Sequence, residues 1–263
     1  MRRCRMLLGL ALLAAPLRAQ LDSLAPAGGS GVFEVGETLL YEAKFGFITL
    51  GEGLMHVAEI DTVRGAPSAH TIFVLRGGSV IYRLHDRMDS WAGTGDFVSR
   101  RFIQDFHEGG GHRYTAFEIF PDSGYYREEG VDSTFPVSAE PLDDLAFFYF
   151  VRTVDLEVGE TYEFNRYFRP DRNPVVIEVL ERDTLDLPAG RFPCIVVHPV
   201  IQGRGILAEG KEARMWLSDD ERRLVVQLKV KFSFATITLR LKSIAGEPPP
   251  DMLQRVPGRE GRQ

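Results

Sequence analysis

Two cysteines in 263 residues are too few to staple a fold. Cys4 lies in an N-terminal segment expected to be removed, so Cys194 is left alone and cannot close an internal disulfide. Its Ile195-Val196-Val197 company marks it as a small buried hydrophobe and not a reactive thiol. Long apolar runs are missing as well. The run Met6 to Ala15 covers ten residues, about half of the roughly 20 that a membrane-spanning helix needs. Basic excess is absent too: 31 Lys and Arg face 37 Asp and Glu, for a formal charge of −6, which works against binding a nucleic-acid backbone. There is no Gly-x-Ser-x-Gly elbow, and the Gly-Lys-Ser/Thr ending of a phosphate loop does not follow Glu209-Gly210-Lys211.

What is present is a globular composition, with 44% hydrophobic and 26% charged residues. Gly 26 and Pro 15 supply too many breakers for a helical bundle and suit strands joined by turns. Arg2, Arg3 and Arg5, the apolar run and Leu17-Arg18-Ala19 form a basic head, core and cleavage site, so residues 1–19 read as a signal peptide. Cleavage removes four arginines and takes the charge to −10. No Leu-x-x-Cys follows the apolar run, so no lipid anchor is expected. The expected location is the periplasm or otherwise outside the cytoplasm, with no transmembrane segment in the mature chain.

Residues 20–31 read as a flexible leader. From Val32 onward, short alternating runs separated by turn residues predict strands over Leu39 to Phe47, Leu50 to Ile60, Ala69 to Leu75, Val80 to His85, Phe97 to Phe106 and Arg113 to Phe120. Near the C-terminus, Val226, Leu228, Val230, Phe232 and Phe234 interleave with Gln227, Lys229 and Lys231. Ile237, Leu239 and Leu241 repeat the pattern, which predicts a hairpin with one apolar and one basic face. The segment from Pro141 to Thr153 breaks the period: proline, then Asp143 and Asp144, then an apolar stretch ending near Arg152 predict a helix with its charges matched to the dipole. Val35-Gly36-Glu37-Thr38 is echoed by Val158-Gly159-Glu160-Thr161, a glycine turn before a strand in each case. One β-rich domain over 32–245 is expected, with 246–263 as a disordered tail because of Pro248-Pro249-Pro250.

Among residues that could carry chemistry, His107-Glu108-Gly109-Gly110-Gly111-His112 stands out. Its histidines are five apart, and the glycines oppose the helix of a zinc protease. A hairpin would set His107 across from His112, but a solvated glycine turn accounts for the residues without metal. Asp143 and Asp144 are explained by their place at a helix start. Arg83, Arg87, Arg100, Arg101 and Arg113 fall on neighbouring strands, where a gathered set would recognise an anion. The expectation is therefore no catalytic residue, no metal ligand and no cofactor. The 28 aromatic residues, spread over the strands, can fill a sandwich or line a concavity.

The chain also resembles an exported bacterial family known as domain of unknown function 3108. The resemblance lies in Val35-Gly36-Glu37-Thr38-Leu39-Leu40-Tyr41-Glu42 with Phe45-Gly46-Phe47-Ile48, and in Asp143-Asp144-Leu145 with Tyr149 and Arg152-Thr153. It continues in Pro188-Ala189-Gly190-Arg191-Phe192-Pro193-Cys194 and in Met215-Trp216-Leu217-Ser218-Asp219-Asp220-Glu221-Arg222-Arg223. It implies a periplasmic or exported β-rich protein without an established catalytic set. A more distant likeness is to lipoprotein-carrier-like curved sheets that enclose apolar cargo.

These readings converge on a mainly β protein, an antiparallel curved or barrel-like sheet with one short crossing helix. The leading expected function is noncatalytic binding of a lipid or another apolar or amphipathic envelope molecule, with no nucleic-acid partner. The alternatives are a protein-interaction scaffold with a filled core and an unrecognised hydrolase assembled across strands.

Overall fold

The computed structural model describes residues 31–78, 83–201, 212–231 and 236–255. The expected signal peptide, nearly all of the leader, and Phe232 and Phe234 lie outside them. In chain order the strands are β1 (Thr38–Phe45), β2 (Ile48–Val63), β3 (Ala66–Gly78), β4 (Arg83–Gly93), β5 (Ser99–Glu108), β6 (Gly111–Phe120), β7 (Tyr125–Glu128) and β8 (Thr134–Pro136). After the helix α1 (Asp144–Phe150) come β9 (Thr161–Phe164), β10 (Val175–Leu187), β11 (Gly190–Ile201), β12 (Glu212–Ser218), β13 (Val225–Lys231) and β14 (Thr236–Ala245). They form one 14-stranded antiparallel sheet, in which β1 through β8 run outward one way and β14 back through β9 run outward the other. The two series meet where β1 pairs with β14, Thr38 opposite Ala245.

Turn chemistry sets the register of the long hairpins. Arg64 and Gly65 (φ 51° and 82°) join β2 to β3, and Gly109 and Gly110 (φ 59° and 100°) join β5 to β6. Two left-handed residues in a row match the right-handed twist of the flanking strands. The two-residue alternation expected near the C-terminus holds from Leu228 to Lys231, where Leu228 and Val230 are buried and Lys229 and Lys231 exposed, but Gln227, expected on the solvent face, is buried; β13 pairs with β14. β4 continues well past His85 through Arg87-Met88-Asp89-Ser90-Trp91, a stretch too polar to announce a strand. Its carboxylate, guanidinium and hydroxyl groups from Arg87 to Ser90 are paired on both faces: Asp89 with Arg87 and His70 on one, Ser90 with Asp143 on the other.

The echo between Val35-Gly36-Glu37 and Val158-Gly159-Glu160 extends to structure. Gly36 N–H donates to Val57 O and Val57 N–H returns to Glu37 O; Gly159 N–H donates to Val179 O and Val179 N–H returns to Glu160 O. The next strand bulges in both cases, between Val57 and Glu59 and between Val179 and Glu181. Two strands later the register shifts immediately after a tryptophan, at Trp91/Ala92 and at Trp216/Leu217. The following turns each close on a non-glycine left-handed residue, Phe97 (φ 57°) and Arg223 (φ 48°). β1 to β6 and β9 to β14 are therefore two copies of one six-stranded plan.

The helix follows the sequence expectation closely. Asp143 is its N-cap, accepting from Leu145 and Ala146 N–H, and a single 3-10 turn, Val151–Thr153, continues it. All six residues from Leu145 to Phe150 are buried. Each large apolar side chain among them contributes about 1.5–3 kcal/mol by leaving water. The helix contacts both copies of the plan: Asp144 meets Gln104 of β5, and Phe150 packs on the Phe164 ring of β9 at 5.0 Å.

Residues 246–255, expected as the start of a disordered tail, lie against the sheet. Met252, 1% exposed, packs with Leu54, Ile72 and Val74 in a second apolar cluster on the face of the sheet opposite α1. Arg76 holds Asp251, and Arg87 donates to Leu253 O. Three consecutive prolines keep this segment out of helix and sheet, and Met252 N–H closes a turn on Pro249 O at the buried anchor.

Candidate functional site

On β5, residues of one parity face α1 and those of the other face outward. Asp105 and His107 share the outward face, and the two-residue Gly109-Gly110 turn places His112 of β6 directly opposite His107. The two imidazoles stack at 4.1 Å between centroids and 12° between planes. Asp105 Oδ1 lies 2.8 Å from His112 Nε2, in hydrogen-bonding alignment, and 3.0 Å from His107 Nε2. The second contact is close but misaligned, so His107 Nε2 is a buried nitrogen without a hydrogen-bond partner. His85, opposite His107 on β4, stands at right angles to it with 6.4 Å between ring centroids, and its Nε2 is also buried and unpartnered. Asp105 is buried, while the His112 side chain is 38% exposed. Tyr114, opposite Asp105, forms the near wall of an outer-face cleft of about 500 Å³ that extends to Arg101, Glu118 and Arg127.

The sequence reading named His107, Glu108 and His112 but missed Asp105 and His85. Glu108 is one residue out of phase and falls on the other face beside Asp86. Burial first, and then the Glu108 carboxyl, push Asp86 up to about 7. The signal for Asp105 was its two-residue offset from His107, which in a strand means a shared face.

Among the described residues, aromatic rings pack closely on the face toward α1. Phe117 packs against Phe168 at 5.2 Å and Phe102 at 6.2 Å, Tyr126 against Phe168 at 5.2 Å, and Phe33 against Phe97 at 5.0 Å and Tyr149 at 5.3 Å. Beneath them Ser90 Oγ donates to Asp143 Oδ2 at 2.6 Å. Burial outweighs these hydrogen bonds and raises the Asp143 carboxyl to about 6. Its contacts are those of a helix cap.

Where the two copies and the helix meet, Arg152 grips Glu37 through two bonds of 2.7 and 3.0 Å, with both side chains 2% exposed. Arg152 Nε donates to Arg222 O, and Arg222 reaches the same Glu37 carboxylate at 3.2 Å. Tyr41, buried alongside, donates to Val225 O. Three stretches that carry the family resemblance thus supply one brace, buried at Glu37, Tyr41 and Arg152 and open to solvent at Arg222.

Of the five arginines on neighbouring strands that could have formed an anion site, Arg87 is bound by Asp89, Arg100 by Asp96 and Arg101 by Glu118, while Arg113 covers the Phe106 ring. These four are engaged separately. Cys194 is buried, and burial pushes its thiol up to about 11, in keeping with a packing role. Trp216 is tied through Nε1 to Asp183, and Ser218 and Asp220 cap the turn after it.

A family model described as Protein of unknown function (DUF3108) matches residues 40–242. The chain belongs to this family. No curated protein matches it. Among solved structures, a β-barrel-like protein of domain of unknown function 1849 from Brucella abortus aligns over 80% of this chain and 96% of its own, at TM-score 0.53 and 7% identity. A protein from Parabacteroides distasonis (TM-score 0.36, 11% identity, 81% of this chain and 96% of that one) and a hypothetical protein from Chlamydia trachomatis (0.33, 8%, 82% and 90%) are more distant. The Brucella structure establishes a likeness of fold. Among the described residues no helix is long and apolar enough to cross a membrane.

Proposed function

We propose that this DUF3108 protein is a noncatalytic envelope scaffold, exported by cleavage after Ala19, that works through its surface and carries no cargo inside. The observation that carries this reading is the close aromatic packing, among the described residues, on the sheet face toward α1. The aromatic residues that would line a cargo cavity pack on one another and on α1, whose six residues from Leu145 to Phe150 are all buried. Interior binding of a lipid or another amphipathic molecule would require α1 and the Phe102, Phe117 and Phe168 rings to leave. A sheet that curls around α1, as the barrel-like description of the Brucella relative suggests, fits the same reading. The residues of the family resemblance support it further, since Glu37, Tyr149 and Arg152 are buried and pair with one another, with Arg222 joining Glu37 from the surface.

Native mass spectrometry of the mature protein, gently purified from its host, tests the proposal together with N-terminal sequencing. The expected result is a chain beginning at Gln20, free of copurified lipid and without saturable binding to a lipid panel. A stoichiometric lipid that survives purification would refute the filled-interior scaffold, and an uncleaved cytosolic chain would refute export.

A further inference from the structure

We infer that Asp105, His107 and His112 form a binding site for a zinc-class divalent metal ion on the outer face of the β5–β6 hairpin. Three potential ligand atoms, one from each residue, lie within 4.8 Å of one another. An ion bound tetrahedrally to imidazole nitrogen and carboxylate oxygen at about 2.0–2.2 Å holds neighbouring ligand atoms roughly 3.3–3.6 Å apart. Asp105 Oδ1 stands at 3.0 and 2.8 Å from the two Nε2 atoms, within about half an ångström of that spacing. Hydrogen bonding does not explain the arrangement by itself. One carboxylate oxygen faces two nitrogens, only His112 aligns with it, and His107 Nε2 is left buried without a partner. Metal coordination would satisfy that nitrogen once the two stacked rings turn their Nε2 atoms toward a shared ion beside Asp105.

The donor set selects the metal. Two imidazoles and one carboxylate suit zinc and its first-row neighbours, whereas calcium and magnesium prefer all-oxygen shells. Three protein ligands leave at least one position open. The scaffold is rigid, because the ligands sit on adjacent strands whose register is held by the Gly109-Gly110 turn. The exposed edge of His112 gives the ion a way in. This inference is independent of the scaffold proposal: a protein with a filled interior can hold an ion on its outer face, and either statement can fail alone.

Zn²⁺ titration of the untagged mature protein by calorimetry tests the site, paired with Co²⁺ absorption as a readout of coordination. The expected result is uptake of one ion per chain, Co²⁺ d–d bands, and no competition from excess Mg²⁺ or Ca²⁺. Loss of even an outer-shell partner weakens metal sites roughly 10–100-fold. His112→Ala and the near-isosteric Asp105→Asn should therefore each weaken Zn²⁺ binding by at least about tenfold, with circular dichroism unchanged in the His112 variant because its side chain is partly in solvent. Absence of saturable uptake by the parent protein would overturn the inference. So would parental affinity in the His112 variant.

Discussion

Removing Glu37 or Arg152 singly should cost far more than removing both. The pair is bidentate at 2.7 and 3.0 Å with each side chain 2% exposed, so either partner left behind is a charge with little access to water. Breaking such a pair costs about 3–5 kcal/mol, whereas replacing both members by apolar residues is often neutral. A domain's whole stability is about 5–15 kcal/mol, so a single replacement consumes a large share of it. The two singles should also differ. Arg152→Leu leaves Glu37 with Arg222 at 3.2 Å, whereas Glu37→Leu leaves the buried Arg152 guanidinium with Arg222 O as its remaining hydrogen-bond acceptor, so Glu37→Leu is expected to be the more damaging. Reversible urea unfolding of the parent, both singles and the double variant closes a thermodynamic cycle. Trp91 and Trp216, one in each copy of the plan, let fluorescence follow the halves separately once the other tryptophan is replaced by phenylalanine. The brace ties both copies to the helix, so the two probes should report one transition in the parent. Single variants within about 1 kcal/mol of the parent, or additive effects in the double, would refute the argument.

Three further outcomes follow from packing and charge. Asp143 in the folded protein titrates at about 6, above the roughly 3.9 of an unfolded chain, so the folded state holds the extra proton and stability should fall as pH rises from about 4 to 6 and then level off. Asp143→Asn should remove about 3 kcal/mol of that fall; denaturation midpoints across the window decide it, and an unchanged difference between parent and variant at every pH would contradict the burial of an ionisable cap. Phe102→Ala, at a fully buried position, should cost about 3–5 kcal/mol, while Lys229→Ala on the exposed face should stay within about 0.5 kcal/mol; equal losses in urea unfolding would mean the facing is wrong. Met252→Ala should cost about 2–5 kcal/mol and speed proteolysis after Gly246, whereas a strap that merely rests on the surface would show neither change.

The periodic parts of the fold were legible because strands advertise themselves by a two-residue alternation, and the lysines of β13 fell on the face that pattern assigned to water. α1 was legible for a different reason: Pro141, Asp143 and Asp144 state the chemistry of a helix start within four residues. β4 was not, because Arg87, Asp89 and Ser90 look like loop residues until their partners on β3 and before α1 are known. The strap from Gly246 was hidden in the same way, since its prolines describe the local chain and Met252 finds its pocket on strands some 180 to 200 positions earlier. The candidate site lies between these cases. A glycine turn between His107 and His112 suffices to oppose them, but the third group depends on phase. Asp105 lies two residues back and shares their face, while the adjacent Glu108, the more obvious ligand in the sequence, is turned away by the same alternation. Sequence spacing thus constrains a site on a sheet only after the register is fixed, and here two left-handed glycines fix it.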